Sequence, residues 1–263
     1  MTRSRPVHLL ASALAAGALL TCAGCSDGSD NTGSGTGEAV ASPVAARTTA
    51  APDRLTAEGA EAALITESDI EDDWTQSDDA ADWHESLLVG KVDVADFLSA
   101  KSDASDCQQL LDGLYDDDLL GKPAGASALR GFQEGDSRLL YQVAAYEQSD
   151  LDSSLAWLKT LPVECDRFTA TDGEGEKRTV EVIETSVPDE GDARQGLRVT
   201  VQGDVDGSPA TLTLDVAAVR VGSDGITVTS GGLDGDEDDS VEDAVEAGVP
   251  RLKDVQAGKT PQS

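Results

Sequence analysis

The chain has 263 residues, of which 51 are Asp or Glu and 19 are Lys or Arg, so its formal net charge at pH 7 is −32. A field of this sign repels phosphate backbones and anionic lipid headgroups, which excludes nucleic acid as a partner. It favours solubility and basic partners, although a solvated acidic surface alone accounts for the charge. About 200 residues follow the N-terminal region, which is enough for one domain with a sizeable core.

The first 24 residues have the anatomy of an export signal. Two arginines form a basic start, and residues 9–20 form an uncharged apolar run that is too short to span a bilayer. The segment Cys22-Ala23-Gly24-Cys25 resembles a bacterial lipobox. That resemblance implies cleavage before Cys25 and acylation of its thiol. Cys22 stands where Leu is usual and is the rival acceptor, and an ordinary secretory signal cleaved nearby is the alternative.

The sequence therefore predicts three regions: a lipoprotein signal peptide at 1–24, a lipidated Cys25 with a flexible linker at 25–53, and a folded domain at 54–263. The linker is rich in Gly, Ser, Thr, Ala and Pro and lacks the apolar surface that folding requires. One acyl chain binds a membrane weakly, so firm anchoring requires several. The predicted location is the outer face of the cytoplasmic membrane, with the lipid anchor as the contact.

Two cysteines remain after the signal and the lipidated residue are set aside. Cys107 and Cys165 form an even pair in an oxidising compartment, which predicts a disulfide. A metal site or a catalytic thiol is the alternative, but the pair lacks C-x-x-C spacing and the processed chain has a single histidine, His84.

Three longer helices are predicted by apolar stripes at helical spacing or by start signals. The first begins with a capping box at Ser105-Asp106-Cys107-Gln108. The second contains three leucines between residues 151 and 158 and is expected to stop at Pro162. The third begins at Ser240, and Pro250 is expected to kink or end it. A short helix is predicted over residues 56–64, and Thr66 is predicted to cap a further turn.

The strands fall into two groups. Residues 127–134 and 138–147 flank Gly135-Asp136 and predict a hairpin. Four later runs alternate apolar and polar residues, with tight turns at Asp206-Gly207 and Asp224-Gly225, which predicts an antiparallel meander. The alternation slips at residues 217–219, which predicts a bulge. The predicted fold is a single α+β domain: an antiparallel sheet, made of the hairpin and a four-strand meander, packed with two or three helices.

No motif identifies a catalytic or cofactor site. A surface position is the favoured interpretation of His84, and a Ser-His or Cys-His nucleophile would need this residue as its base. The acidic run at 234–239 fails as an EF-hand loop, because Asp239 and Val245 stand where Gly and Glu are required. We therefore predict no catalytic residue, no metal site and no cofactor, and we expect a protein that is not an enzyme.

A resemblance goes further than these patterns. The run Ala63-Leu64-Ile65-Thr66-Glu67-Ser68-Asp69-Ile70, followed by Trp74-Thr75, resembles the opening of PknH-like sensor domains. These domains occur outside the membrane in actinobacterial Ser/Thr kinases and in free-standing lipoproteins. The later order is similar, and its elements are Cys107 with Leu110 and Leu111, Tyr141-Gln142-Val143, Cys165-Asp166-Arg167-Phe168 and Val219-Arg220-Val221-Gly222. The resemblance implies an α+β domain with a cleft and a sensing role, and it supplies no ligand and no catalytic residues.

The leading functional prediction is thus a cell-envelope lipoprotein that binds or senses a ligand, with an unknown envelope ligand or protein as its partner. The first alternative is a cell-wall hydrolase or other envelope enzyme that uses acidic residues the sequence does not single out. The second is a structural or chaperone-like envelope protein that acts through its acidic surface.

Overall fold

The structure is a computed structural model that describes residues 54–70, 73–80, 101–102, 104–171, 175–205, 207–233 and 239–261. These residues form a single α+β domain, as predicted. They lie within one compact unit, Thr48–Ser263. Within the described ranges, no helix combines the length and the apolar character that crossing a bilayer requires. Cys25, His84 and residues 234–238 lie outside the described residues, so the predictions for them stand as predictions.

Five α-helices and one 3-10 helix occur in the described part of the chain. The α-helices are α1 (Ala57–Ala62), α2 (Ser105–Tyr115), α3 (Gln148–Leu158), α4 (Leu161–Glu164) and α5 (Ser240–Gln256). The 3-10 helix is Glu67–Asp69. Thr56 caps α1 by accepting a hydrogen bond from the Gly59 amide at 3.0 Å. Thr66 is the N-cap of the 3-10 helix, as predicted, and it forms a capping box with Asp69.

Nine strands form one sheet within the described residues. They are β1 (Thr75–Ser77), β2 (Lys101–Ser102), β3 (Ser127–Glu134), β4 (Ser137–Ala145), β5 (Arg167–Thr171), β6 (Lys177–Thr185), β7 (Ala193–Val205), β8 (Ser208–Val221) and β9 (Asp224–Leu233). Every pairing is antiparallel, in the order β1-β3-β4-β9-β8-β7-β6-β5-β2. The predicted hairpin is β3–β4, and the predicted meander is β6–β9, which β5 extends by one strand. The β4–β9 pairing joins the two groups.

Both faces of the central strands are covered, which explains the slip in the alternation of β8. The apolar core on one face contains residues from α2, α3 and α4, and the core on the other face contains residues from α1 and α5. Val216 and Ala218 lie in the first core, whereas Ala217 and Val219 lie in the second. The pairing of β8 with both neighbours is continuous through these residues. The predicted bulge is therefore wrong, because consecutive buried residues here serve opposite faces of a regular strand.

The turn before β9 is displaced from its predicted position. Val221 pairs with Asp224 across the β8–β9 connection, so the turn residues are Gly222 and Ser223. Gly222 has a φ of 64°, a conformation that costs glycine little. Asp224 is instead the first residue of β9 and is 3% exposed, and its Oδ2 accepts a hydrogen bond from Gln256 Nε2 at 2.8 Å.

Two helix boundaries also differ from the predictions, and the last helix does not end at its proline. Helix α2 begins at Ser105 with Ala104 as its N-cap, so the predicted capping box is wrong. Helix α3 ends at Leu158, and Pro162 is near the start of α4, where a missing N–H costs no helical hydrogen bond. Pro250 lies inside α5, which continues to Gln256 because residues on its inner face, before and after the proline, are buried in the core.

Candidate functional site

The predicted disulfide is confirmed and lies at the centre of the helical layer. Cys107 and Cys165 are bonded, with their Cα atoms 5.6 Å apart. Each residue is 1% exposed. Cys107 belongs to α2, and Cys165 directly follows α4. The bond therefore ties α2 to the end of α4 inside the core, which is a structural role and not that of an accessible thiol.

The apolar residues that carry the PknH-like resemblance are part of the core. Leu64, Ile65 and Trp74 are each 2% exposed or less, and Tyr141 is fully buried. The polar residues of the same run differ, because Glu67, Ser68 and Thr75 are exposed and line an open depression of about 680 Å³. The apolar positions therefore specify packing between the N-terminal segment, the sheet and α5.

A cleft that could hold a small ligand lies between α3 and the ends of β6 and β7. Its volume is about 480 Å³, within the usual range for small-molecule sites, roughly 300–1,000 Å³. Helix α3 forms one wall, and strands β6 and β7 with Val187 form the other. We call this feature the α3–β7 cleft. The residues that line it are Asp152, Leu155, Ala156, Lys159, Glu184, Thr185, Val187, Ala193, Arg194, Gln195 and Gly196.

The helical wall of the cleft presents a charge at each end and a small residue between them. Asp152, Ala156 and Lys159 are spaced so that they share one face of α3. All three are exposed, whereas Leu155 beside them is 7% exposed and packs into the core. At 1.5 Å per residue, the acid and the amine are about 10 Å apart along the helix axis. Within the described residues, the Lys159 ammonium has no salt-bridge partner.

The sheet wall is shaped by the point at which β6 leaves β7. The last pair between these strands is Thr185 with Gly196. A methyl group on Gly196 would lie 2.4 Å from Val187 Cγ2 and 2.7 Å from the Thr185 carbonyl oxygen, so only glycine allows this close approach. Gln195 is 6% exposed, and its Nε2 donates to Glu184 Oε1 at 3.3 Å and to the Gly196 carbonyl at 3.0 Å. The buried amide thus holds the Glu184 carboxylate at the cleft wall.

Ion pairs at the rim leave the cleft with both signs of charge. Arg220, whose side chain is 17% exposed, contacts Asp152 with its Nε at 3.1 Å from Oδ1. Arg194 contacts Asp189 at 2.5 Å, and the Asp189 side chain is 92% exposed. A pair with one partner this exposed contributes only about 0–1 kcal/mol, so a ligand carboxylate can replace Asp189 at little cost. The cleft is therefore lined by two cationic and two anionic side chains in a strongly acidic protein.

The described residues contain no group of three or more His, Cys, Asp or Glu side chains that could hold a metal ion. Burial raises the pKa of Asp118 and of Asp224, but neither carboxyl group lines the α3–β7 cleft. The cleft's own chemistry is thus charge pairing and hydrogen bonding, which suits ligand binding.

Comparisons with known proteins identify no family for this chain. No protein-family model matches it, and no curated protein matches it. Among solved structures, it is similar to the extracellular domain of PknH from Mycobacterium tuberculosis, with 13% sequence identity and a TM-score of 0.46. That match covers 76% of this chain and 97% of the other. Similarity at this level assigns neither a family nor a function.

Sequence reasoning did not find the cleft. Lys159, Glu184 and Gln195 belong to no motif, and nothing in their spacing marks them in a chain with 51 acidic residues. The detectable signal was a face with Asp152, Ala156 and Lys159 beside the apolar stripe, which is also the pattern of any solvated helix face. The site exists because β6 ends before β7 does, and this is a property of strand lengths in three dimensions.

Proposed function

We propose that this protein is a cell-envelope lipoprotein, anchored by lipid on Cys25 to the outer face of the cytoplasmic membrane, that binds a small polar ligand in the α3–β7 cleft. The anatomy of residues 1–25 supports the anchor. The PknH-like arrangement of residues in the sequence supports a sensing role rather than catalysis. The single observation that carries the binding proposal is the cleft itself. Its walls carry the Glu184 carboxylate, which accepts a hydrogen bond from Gln195. They also carry the Lys159 ammonium, which has no salt-bridge partner among the described residues.

A thermal-shift screen tests this proposal on the full chain carrying Cys25→Ser, which removes the lipid attachment point. Wall fragments, lipids and metal ions are the compounds to test. A ligand at one hundred times its Kd adds about 2.7 kcal/mol to the free energy of unfolding. For a domain of this size, that corresponds to a rise in Tm of about 5–10 °C.

Two arginine substitutions on α3 assign any binding to the cleft. Ala156→Arg places a long side chain in the cleft, whereas Ser153→Arg places the same side chain on the same helix outside it. Both positions are exposed, and arginine is a good helix former, so neither change should unfold the domain. We expect Ala156→Arg to abolish the shift and Ser153→Arg to preserve it. Equal loss in both variants, or in neither, contradicts the cleft as the binding site.

The hydrolase alternative gives a different result in the same screen. An enzyme would convert a wall fragment, so mass spectrometry after incubation would detect a product that a binding module does not form. We expect the compound that shifts Tm to be recovered unchanged. Conversion that Ala156→Arg abolishes would replace the binding proposal with an envelope enzyme that works in the same cleft.

A further inference from the structure

At the cleft, strand β7 extends three residues beyond the last residue that pairs with β6. Pairing with β6 ends at Gly196, whereas pairing with β8 continues to Ala193 opposite Arg220. Among the described residues, Ala193, Arg194 and Gln195 therefore have a neighbouring strand on one side only. All three line the cleft, so the unpaired strand edge faces a space large enough for a ligand.

The chain that follows β6 does not occupy this edge. Over residues 175–205, which the structure describes continuously, no backbone hydrogen bond joins the β6–β7 connection to Ala193, Arg194 or Gln195. The Gln195 side chain donates to the Gly196 carbonyl and to Glu184, and no strand in the described part of the chain pairs with β7 beyond Gly196 on this side. An open strand edge is a template for pairing with a further extended chain.

We propose that the α3–β7 cleft binds a short extended peptide, which adds to the edge of β7 as a strand about three residues long. This inference rests on the proposed function and names the ligand class of the same site. Main-chain hydrogen bonds would supply the affinity, as in other cases of strand addition. Three residues of strand span about 10 Å, which equals the spacing of about 10 Å between Asp152 and Lys159 along α3.

The charges on the walls indicate which peptides fit. Asp152 lies at the Ala193 end of the edge, because its partner Arg220 is the residue that pairs with Ala193. It is already neutralised by that arginine. Lys159 is seven residues further along α3 and has no salt-bridge partner in the described part of the chain, so it provides an ammonium for a peptide carboxylate. The ligand is therefore a short peptide with a free carboxyl group, held in extended form between α3 and β7.

Amide NMR on the full chain carrying Cys25→Ser tests the strand addition directly. The probe is a pooled library of tripeptides with free C-termini. We expect the amide signals of Ala193–Gln195 to shift on binding, and hydrogen exchange to slow at those amides of this edge that pair with the peptide. Failure of the pools to bind at millimolar concentration overturns the inference. So does binding that leaves the exchange of all these amides unchanged.

Backbone methylation of the tightest-binding tripeptide gives the matched control. Successive N–H groups of an extended chain point to opposite sides, so one of the two amide N–H groups of the tripeptide faces β7. N-methylation of each amide in turn keeps the side chains, and we expect one of the two methylated peptides to bind about tenfold more weakly because it loses a strand hydrogen bond. Equal binding by both methylated peptides and the parent contradicts strand addition. Amidation of the C-terminus should weaken binding to the unsubstituted protein but have little effect in Lys159→Ala.

The same measurements separate this inference from the proposed function. If a saccharide or lipid fragment binds, and Ala156→Arg but not Ser153→Arg abolishes its binding, the cleft is a ligand site and the peptide inference is wrong. If peptides bind and Ala156→Arg has no effect on them, the peptide site lies elsewhere and the peptide inference is wrong, whereas the proposed function is decided by the other compounds in the screen.

Discussion

Tyr141 on β4 carries a hydroxyl group whose removal should stabilise the protein. The side chain is fully buried, and Oη has no hydrogen-bond partner among the described residues. Burial raises the pKa of the phenol, so the group stays neutral. A buried hydroxyl without a partner costs about 1–3 kcal/mol. We therefore expect Tyr141→Phe to raise the free energy of unfolding by about 1 kcal/mol, the lower end of that range.

Gly248 on α5 allows a second variant that tests the same packing. A methyl group at this position would lie 1.9 Å from Tyr141 Oη and 2.7 Å from Cζ. Overpacking of this kind costs about 1–3 kcal/mol, which exceeds the gain of about 1 kcal/mol from replacing glycine in a helix. In the Tyr141→Phe background the closest contact is gone, so Gly248→Ala should cost less there, with a coupling of at least about 0.5 kcal/mol.

Urea unfolding of the four proteins in this cycle measures both quantities. A gain of about 1 kcal/mol corresponds to a rise in Tm of about 2–4 °C for a domain of this size. If Tyr141→Phe instead lowers stability by more than about 1 kcal/mol, the hydroxyl has a partner, such as a buried water molecule, and the reasoning fails. Additive effects of the two changes would refute the direct contact between Gly248 and the hydroxyl.

Four further predictions concern the cysteines, His84 and Asp224. The Cys107–Cys165 bond joins residues that are 58 positions apart in the sequence, and its reduction should lower the free energy of unfolding in urea by about 4 kcal/mol. A loss below about 1 kcal/mol would contradict this. Cys25→Ser should move the protein from the membrane fraction to the soluble fraction, and retention after a high-salt wash would disprove lipid anchoring. His84→Ala should leave stability and ligand binding unchanged, whereas loss of function at unchanged stability would favour an enzyme. Because burial raises the pKa of Asp224, its ionisation costs stability as pH rises from about 4 through that raised pKa. Asp224→Asn should reduce this loss in pH-dependent unfolding, and an unchanged pH profile would contradict it.

Local sequence patterns predicted the parts of the fold that depend on near neighbours. The alternation of apolar residues located strands β6–β9, and Gly135-Asp136 located the β3–β4 turn, because a two-residue connection fixes an antiparallel pair. The disulfide was predictable because Cys107 lies on the apolar face of a helix and no other cysteine remained to compete. The export signal is read from residues 1–25 in the same way, and it stays a prediction.

The sequence by itself determined the α+β class, the hairpin, the meander and the cysteine pair, since each depends on spacing along the chain. Tertiary structure decided the features that depend on what covers a residue. Helices cover both faces of the sheet at β8, so Ala217 and Ala218 are consecutive core residues without a bulge. Packing of its inner face kept α5 helical through Pro250. The cleft arises because β7 continues past the end of β6. Whether the edge of a strand is paired depends on its neighbour in space and not on its own sequence.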